Sequence, residues 1–328
     1  MKLLRRIARA YADGGMRGVG SRVAHKFMRR SQTEESSALE KQRLKEAQIA
    51  TAQSAYEQQV KTFESRTREL GHADEVSSYF WYHTIDLGNG LVTPGEYDYR
   101  SVVPTFPLPE DMSGMNVLDV GSATGFFAFE FERRGARVVS VDLPSLEAWD
   151  IIAPERARVL EQLKRAHGVA TLAEAYHRHL DGPFGFCHRM LRSKVRRCYS
   201  TVYELTAEKL GCDQFDLVYV GDVVGHLFSP LKALDVVAGL CRKMLMVTIP
   251  FNPNVTGPPV NPQPIMMFQG HRRALLDGRS WWTPSFTCIE HMLKRIGFAE
   301  VQSRGCFSTI ARAIGMAAHR EIVCATRS

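Results

Sequence analysis

The residues whose types and spacing best suit chemistry lie at positions 119–125, which read Asp-Val-Gly-Ser-Ala-Thr-Gly. The two glycines follow an apolar run and precede a helical pattern, which predicts a tight turn between a strand and a helix. Glycine is needed there because a side chain would block a ligand that lies against the turn. Asp119, two residues before the first glycine, suits a ligand that carries a cationic amino group.

Asp142 is a second acid of interest, because it ends the next predicted strand seventeen residues after Gly125. A carboxylate at that position can accept hydrogen bonds from both hydroxyls of a ribose. This turn suits the pyrophosphate of NAD less well, since Ala123 stands where the dinucleotide fingerprint has its second glycine. The order of these elements therefore favours another nucleoside ligand, and an NAD-dependent oxidoreductase is a weaker alternative.

Residues 115–326 resemble the class I S-adenosylmethionine-dependent methyltransferases in this order of motifs. The resemblance implies S-adenosylmethionine as the cofactor and assigns one part of it to each motif. The motif for the methionine end corresponds to Asp119, Gly121, Ser122, Ala123 and Gly125; the ribose-binding acid is Asp142, beside Leu143; the turn that contacts adenine contains Tyr203 and Glu204; and the motif beside the methyl group contains Asp222 and His226.

A narrower similarity, to the branch that contains the tRNA wobble-uridine carboxymethyltransferases, extends upstream of these motifs. It rests on Trp81-Tyr82-His83, on Thr93-Pro94-Gly95 and on the Trp281-Trp282 pair. The basic stretch with which tRNA-modifying members hold the extra carboxylate of their cofactor is not recognisable here, which favours ordinary S-adenosylmethionine. We expect the acceptor to contact Trp81, Tyr82, His83, Arg100 and Trp282.

Methyl transfer from a sulfonium is an in-line displacement, so positioning the reactants can contribute on the order of 7–11 kcal/mol. An oxygen or nitrogen nucleophile also loses a proton, and a base then helps by roughly 10²–10⁴-fold. His226 is the first candidate for this base; alternatively it caps the next helix or bonds to backbone. Asp222 suits orientation of cofactor or substrate, and His83 either covers the methyl group or only packs.

The elements that must position these residues alternate between strand and helix, which predicts a doubly wound parallel sheet. We expect strands at 116–120, 137–141, 215–220, 243–249 and 319–326, and a helix at 123–134. The closing strands suit a Rossmann-like sheet of seven strands whose last strand is antiparallel. Upstream, short helical patterns near 1–12 and 21–30 precede a long helix at 33–70.

Three regions follow from these patterns: a basic amphipathic arm (1–32), a helical and aromatic-rich extension or lid (33–112) and the methyltransferase domain (113–328). The domain carries inserts at 143–198 and 250–284. The basic run at 188–197 in the first insert either binds an acidic group of the acceptor or is a solvated helix face. The tryptophan pair in the second insert either caps the acceptor pocket or anchors the loop.

The formal charge of +7 resides in the arm, because residues 1–30 hold nine basic side chains and one acid. A globally basic nucleic-acid-binding domain is therefore not indicated. The arm either lies on an anionic membrane surface or on RNA, or is solvated. No apolar run approaches the roughly 18 residues of a membrane span, and no secretory signal is evident. Seven scattered cysteines favour the reducing cytoplasm. If the arm binds lipid, the protein lies at the inner face of the membrane.

These observations predict a methyltransferase that acts on oxygen or nitrogen of a small-molecule, glycan or lipid-linked acceptor. No metal is expected, because His177 and His179 lack a companion ligand at a suitable spacing. One alternative is a tRNA wobble-uridine methyl- or carboxymethyltransferase that uses the arm and the basic run. An alternative of another class is a non-catalytic scaffold that binds the cofactor.

Overall fold

A computed structural model describes residues 20–252, 255–256, 263–269 and 279–327 of the chain. The chain divides into two compact units, Met1–Ser54 and Ala55–Ser328. Helix α1 (Gly20–Glu69) forms the described part of the first unit and continues into the second. The sequence pattern predicts two helices over 21–70, whereas the structure joins them into one, since Gly and Pro are absent from 21–69. The predicted helical pattern at 1–12 lies outside the described residues.

The second unit contains a sheet of seven strands flanked by helices, and its elements follow α1 in chain order. The strands of the sheet are β1 (Asn116–Val120), β2 (Arg137–Asp142), β3 (Arg196–Tyr199), β4 (Phe215–Gly221), β5 (Cys241–Pro250), β8 (Glu300–Ala311) and β9 (Met316–Thr326). A separate pair consists of β6 (Met266–Phe268) and β7 (Trp282–Pro284). The helices are α2 (Ala73–Val76), α3 (Phe126–Arg133), α4 (Ala153–His167), α5 (Leu172–Tyr176), α6 (Gly182–Met190), α7 (Ala207–Leu210), α8 (Pro230–Leu240) and α9 (Phe286–Ile296).

The strand order is β3-β2-β1-β4-β5-β9-β8. The first five strands are parallel, and β9 pairs antiparallel with both β5 and β8. This order confirms the predicted Rossmann-like sheet with an antiparallel last strand. The central strands are buried on both faces, as their unbroken apolar runs require in a parallel sheet.

Helix α3 begins at Phe126 and not at residue 123 as expected. Ala123 has a φ of +47° and Gly125 has a φ of +93°, so both residues adopt a left-handed conformation that cannot belong to the helix. The Phe126 and Phe127 rings are both buried, and the Phe127 ring centroid lies 4.5 Å from that of Tyr219 in β4. The predicted turn is thus longer than the sequence pattern indicated.

The first insert folds as α4, α5, a short π-helix (His177–Asp181) and α6. Thr171 and Glu174 form a capping box at the start of α5, which explains where that helix begins. The basic run at 188–197 is not one helix face, because its last two residues, Arg196 and Arg197, belong to β3. Since β3 pairs with β2, Arg197 lies opposite Ser140.

The second insert contains β6 and β7, with Trp282 paired to Phe268. Parts of this insert lie outside the described residues. Among the helices that the structure describes, none combines the length and the hydropathy that a membrane span requires.

Candidate functional site

The site lies where β1, β2 and β4 reach their carboxyl ends, at one edge of the sheet. Asp119 is in β1, Asp142 ends β2 and Asp222 follows β4, so the fold brings all three predicted acids to this edge. The chain winds in opposite directions from β1 towards β2 and towards β4. A crevice at such a switch point is the usual ligand site of an open α/β sheet.

The glycine turn lies at the centre of this edge. Gly121 has a φ of +79°, and a Cβ atom built there would lie 2.3 Å from Cγ2 of Val223. At Gly125 a Cβ atom would lie 2.5 Å from the Phe129 ring. Both glycines are therefore required by conformation and by space, in agreement with their predicted part in the turn.

Asp119 is a buried acid beside this turn, with 1% of its surface exposed. Burial raises the pKa of its carboxyl to about 7, although the Ser122 side chain and the charge of Arg197 oppose the shift. Its Oδ2 has no hydrogen-bond partner among the described residues. Because a buried unpaired acceptor costs about 1–3 kcal/mol, the position suits a ligand that brings a donor such as an ammonium group.

Asp142 holds the turn in place through both carboxylate oxygens. Oδ2 accepts from the Ala123 amide at 2.7 Å, and Oδ1 accepts from the Leu143 amide at 2.8 Å. Arg197 lies 3.2 Å from Oδ2. Two backbone amides and one guanidinium thus surround this carboxylate, and its predicted contact with the ribose hydroxyls stays a prediction.

Arg197 belongs to the basic run at 188–197, but its contact with Asp142 was not predicted from the sequence. Its side chain is 8% exposed, donates to Ser140 Oγ at 2.8 Å and lies over the Phe184 ring at 4.1 Å. In the sequence it stands among other basic residues and resembles a solvated face. Only the pairing of β3 with β2 places it beneath Asp142, and that pairing is a long-range property.

Asp222 adopts a left-handed conformation, with a φ of +58°. Its amide donates to Thr248 Oγ1 at 3.0 Å, which fixes the turn after β4. Its Oδ2 accepts from Arg320 Nε on β9, and its Oδ1 has no partner within the described part of the chain. Burial opposes the charge of Arg320, but Asp222 more than offsets that effect and raises the pKa of the guanidinium. Arg320 was not identified from the sequence, because only the insertion of β9 brings it here.

His83 lies buried beside the glycine turn. Its amide donates to Thr124 Oγ1 at 3.1 Å, and its ring centroid lies 4.8 Å from that of Tyr82 and 5.9 Å from that of Phe126. Burial lowers the pKa of the imidazole to about 3, so the ring is neutral at physiological pH. A ring that resists protonation is a weak base, although it can position a substrate.

His226 is exposed on a short 3-10 helix after β4. Its Nδ1 lies 2.7 Å from the carbonyl oxygen of Arg279. Because a carbonyl can only accept, Nδ1 carries the proton and Nε2 keeps its lone pair in the neutral ring. The structure thus contains the backbone hydrogen bond that was one of the two predicted roles of His226. The other role, that of a general base, would fall to Nε2.

Tyr203 and Glu204 are in the 3-10 helix after β3. The Tyr203 hydroxyl donates to Asp150 Oδ2 at 2.5 Å, and Glu204 is exposed and lies 3.6 Å from Lys209. Asp150, which no sequence motif indicates, also accepts from the Phe228 amide at 2.5 Å. This carboxylate therefore joins the loops after β3 and β4 at the rim of the site.

Three residues expected to contact the acceptor have other partners in the structure. Trp81 is buried against the Phe63 ring in the core. Arg100 binds Asp98 and borders a groove with residues that begin β1 and β2, so the structure does not bring it to the site. The Trp282 indole donates to the Leu227 carbonyl at 3.0 Å, which anchors the second insert near the loop after β4.

The chain matches no protein-family model and no curated protein. Among solved structures it is similar to magnesium protoporphyrin IX methyltransferase from Synechocystis PCC 6803 (15% identity, 66% of this chain and 75% of that chain, TM-score 0.40). It is also similar to the N-terminal domain of EvdMO1 with SAH bound (12% identity, 80% and 97%, TM-score 0.47). A third is 1,6-didemethyltoxoflavin-N1-methyltransferase from Burkholderia thailandensis (16% identity, 66% and 72%, TM-score 0.37). At these identities and TM-scores a functional assignment depends on the chain's own site.

Proposed function

We propose that this protein is an S-adenosylmethionine-dependent methyltransferase that modifies oxygen or nitrogen of a small-molecule, glycan or lipid-linked acceptor. The observation that carries the proposal is Asp119, a buried carboxyl with an unpaired oxygen beside a left-handed glycine turn. An amino-acid end of a ligand supplies the ammonium group that this position suits. Asp142, at the end of the neighbouring strand, suits the ribose of the same ligand.

The residues present fit this cofactor better than they fit NAD. The Ala123 amide already donates to Asp142 Oδ2, so it is not free to bind a pyrophosphate oxygen. Gly121 and Gly125 allow the left-handed backbone of the turn to pack closely on Val223 and Phe129. When bound, the cofactor supplies an electrophilic methyl group on a sulfonium centre.

The chain's own residues then have three tasks. The segment around Tyr82 and His83, tied to the turn through Thr124, covers the site and excludes water. Asp222, held by Arg320, orients the acceptor. His226 Nε2 is the candidate to accept the acceptor's proton, and a His226→Ala variant with normal turnover across neutral pH would remove this role.

Ligand-induced stabilisation tests the proposal. S-adenosylhomocysteine should raise the melting temperature, since a ligand at a hundred times its Kd contributes about 2.7 kcal/mol, whereas NAD should leave it unchanged. Asp142→Ala should weaken this binding, measured by calorimetry. Asp235→Ala is the matched control, because Asp235 is exposed on α8. Stabilisation by NAD alone would contradict the proposal, and binding without turnover on any acceptor would favour the non-catalytic scaffold.

A tRNA wobble-uridine methyl- or carboxymethyltransferase is the second candidate, favoured by a group of exposed cations at the start of β3. Arg192, Lys194 and Arg196 are exposed and border one groove. RNA held through many phosphates would dissociate steeply between low and physiological salt. RNA affinity that is independent of salt would therefore exclude this candidate.

A further inference from the structure

The guanidinium of Arg197 lies buried beside the glycine turn and reaches it from β3, the strand that pairs with β2. Nη1 donates to Ser140 Oγ at 2.8 Å, and Nη2 donates to the Ala123 carbonyl oxygen at 3.3 Å. The same Nη2 lies 3.2 Å from Asp142 Oδ2. One side chain from β3 therefore contacts both the turn after β1 and the acid that ends β2.

Ala123 is held from two sides within this group. Its amide donates to Asp142 Oδ2 at 2.7 Å, and its carbonyl oxygen accepts from Arg197. Since Arg197 also pairs with Asp142, the three residues form a closed ring of contacts. The φ of Ala123 is +47°, a left-handed conformation that residues with a Cβ atom rarely adopt. The contacts therefore keep in place a backbone conformation that Ala123 would rarely adopt by itself.

Aromatic rings restrict the movement of the guanidinium. Its Cζ atom lies 4.1 Å from the Phe184 ring centroid, and the Tyr199 ring centroid lies 5.7 Å away. Stacking of this kind suits arginine, whose planar group is pre-organised to make several hydrogen bonds at once. A lysine at this position would carry the charge but could not reproduce the planar arrangement of donors.

For Asp142 the consequence is a fixed orientation of the carboxylate. The amides of Ala123 and Leu143 donate to it, and the Arg197 guanidinium pairs with it. The last torsion of an aspartate side chain has broad minima, so a carboxylate without such partners presents its lone pairs in varying directions. An acceptor that is already oriented binds a ligand more tightly, because less conformational freedom is lost on binding. Removal of Arg197 would leave this buried acid without its paired cation.

We propose that Arg197 is a positioning residue for the cofactor, which acts through Asp142 and Ala123. It keeps the carboxylate oriented towards the ribose and holds the glycine turn in its left-handed conformation. This inference rests on the proposed function, in which Asp142 binds the ribose. It also assigns the last residue of the basic run at 188–197 to the cofactor site, whereas the sequence pattern suggested the acceptor or solvent.

Calorimetry on the full chain with two ligands tests this role. The ligands are S-adenosylhomocysteine and its 2′,3′-dideoxy analogue, which lacks both ribose hydroxyls. In the wild-type chain the Kd of the analogue should exceed that of S-adenosylhomocysteine about 10- to 100-fold, as expected for hydrogen bonds to a charged group. In Arg197→Met the ratio of the two Kd values should fall to about threefold or less, because the acid is no longer oriented for the hydroxyls.

A conservative variant and a matched control accompany this measurement. Arg197→Lys should give a ratio between those of the wild-type chain and Arg197→Met, and it carries the test if Arg197→Met does not fold. The control is Arg312→Met, because Arg312 is also buried, lies over the Tyr56 ring at 5.2 Å and donates to Thr84 Oγ1 at 2.6 Å. It should lower the melting temperature but leave the ratio at the wild-type value.

The outcomes separate the two proposals. If S-adenosylhomocysteine does not bind the wild-type chain, the proposed function fails. If it binds, but the Arg197 variants keep the wild-type ratio, the residue has only a structural role and the positioning inference is overturned while the function stands. The inference is equally overturned if the wild-type ratio is close to one, or if Arg312→Met reduces the ratio as much as Arg197→Met.

Discussion

At the scale of single residues, Asp119 makes cofactor binding sensitive to pH. Burial raises the pKa of its carboxyl to about 7, and a ligand ammonium group binds the ionised form. Affinity for S-adenosylhomocysteine should therefore rise with pH up to about 7 and then level off, with about a tenfold loss per unit below that value. Calorimetry between about pH 5.5 and 8 measures this dependence.

Two controls define the origin of that pH dependence. Asp119→Asn should flatten the profile, because the amide does not titrate. 5′-Methylthioadenosine, which lacks the amino-acid end, should bind the wild-type chain with little change over the same range. An equally steep profile for 5′-methylthioadenosine would show that another group is responsible.

At the scale of elements, the turn between β1 and α3 depends on Gly121. Gly121→Ala should destabilise the fold by about 1–2 kcal/mol for the left-handed backbone, with a further cost from the contact with Val223. It should also weaken S-adenosylhomocysteine binding, because the turn must shift. Urea unfolding and calorimetry measure the two effects.

Gly239→Ala is the matched control for this turn. Gly239 lies in α8, and a Cβ atom there meets no atom within 4 Å. The substitution should stabilise the chain by about 0.5–1 kcal/mol, as expected for glycine replaced within a helix. If Gly121→Ala behaves like Gly239→Ala, the space and the backbone conformation at the turn have been misinterpreted.

The features that the sequence predicts are those that depend on local patterns within one element, and not those that depend on strand pairing. The apolar runs of β1, β4 and β5 and the glycine turn are local signals, so the sheet and the position of Asp119, Asp142 and Asp222 followed from them. Arg197 and Arg320 depend on which strands pair, and no local pattern encodes this pairing. The same limit applies to Arg100, because no local pattern shows which end of the sheet it lies near.

At the scale of the whole molecule, the basic arm should be separable from the cofactor site. The charge of residues 1–30 lies outside the elements that hold Asp119 and Asp142. We expect a chain without these residues to bind S-adenosylhomocysteine within about twofold of the full chain, a difference below about 0.5 kcal/mol. Its attachment to vesicles rich in phosphatidylserine should fall, since each lysine or arginine near such a surface contributes about 1 kcal/mol.

Calorimetry and vesicle cosedimentation at two salt concentrations measure these effects. A loss of cofactor affinity in the shortened chain would show that the arm belongs to the site. Equal cosedimentation of both chains would show that the arm does not attach the protein to membranes, and the proposed peripheral contact would then be abandoned.

The position of β9 within the sheet has a consequence for synthesis on the ribosome. Arg320 is 98 residues from Asp222 in the chain, and β9 separates β5 from β8. During translation the glycine turn and the first parallel strands emerge long before β9. Asp222 therefore has no ion pair with Arg320 until β9 has been synthesised. Contacts of such long range form slowly. A nascent chain that lacks β9 therefore has no Arg320 beside Asp222, and this ion pair can form only after β9 has left the ribosome.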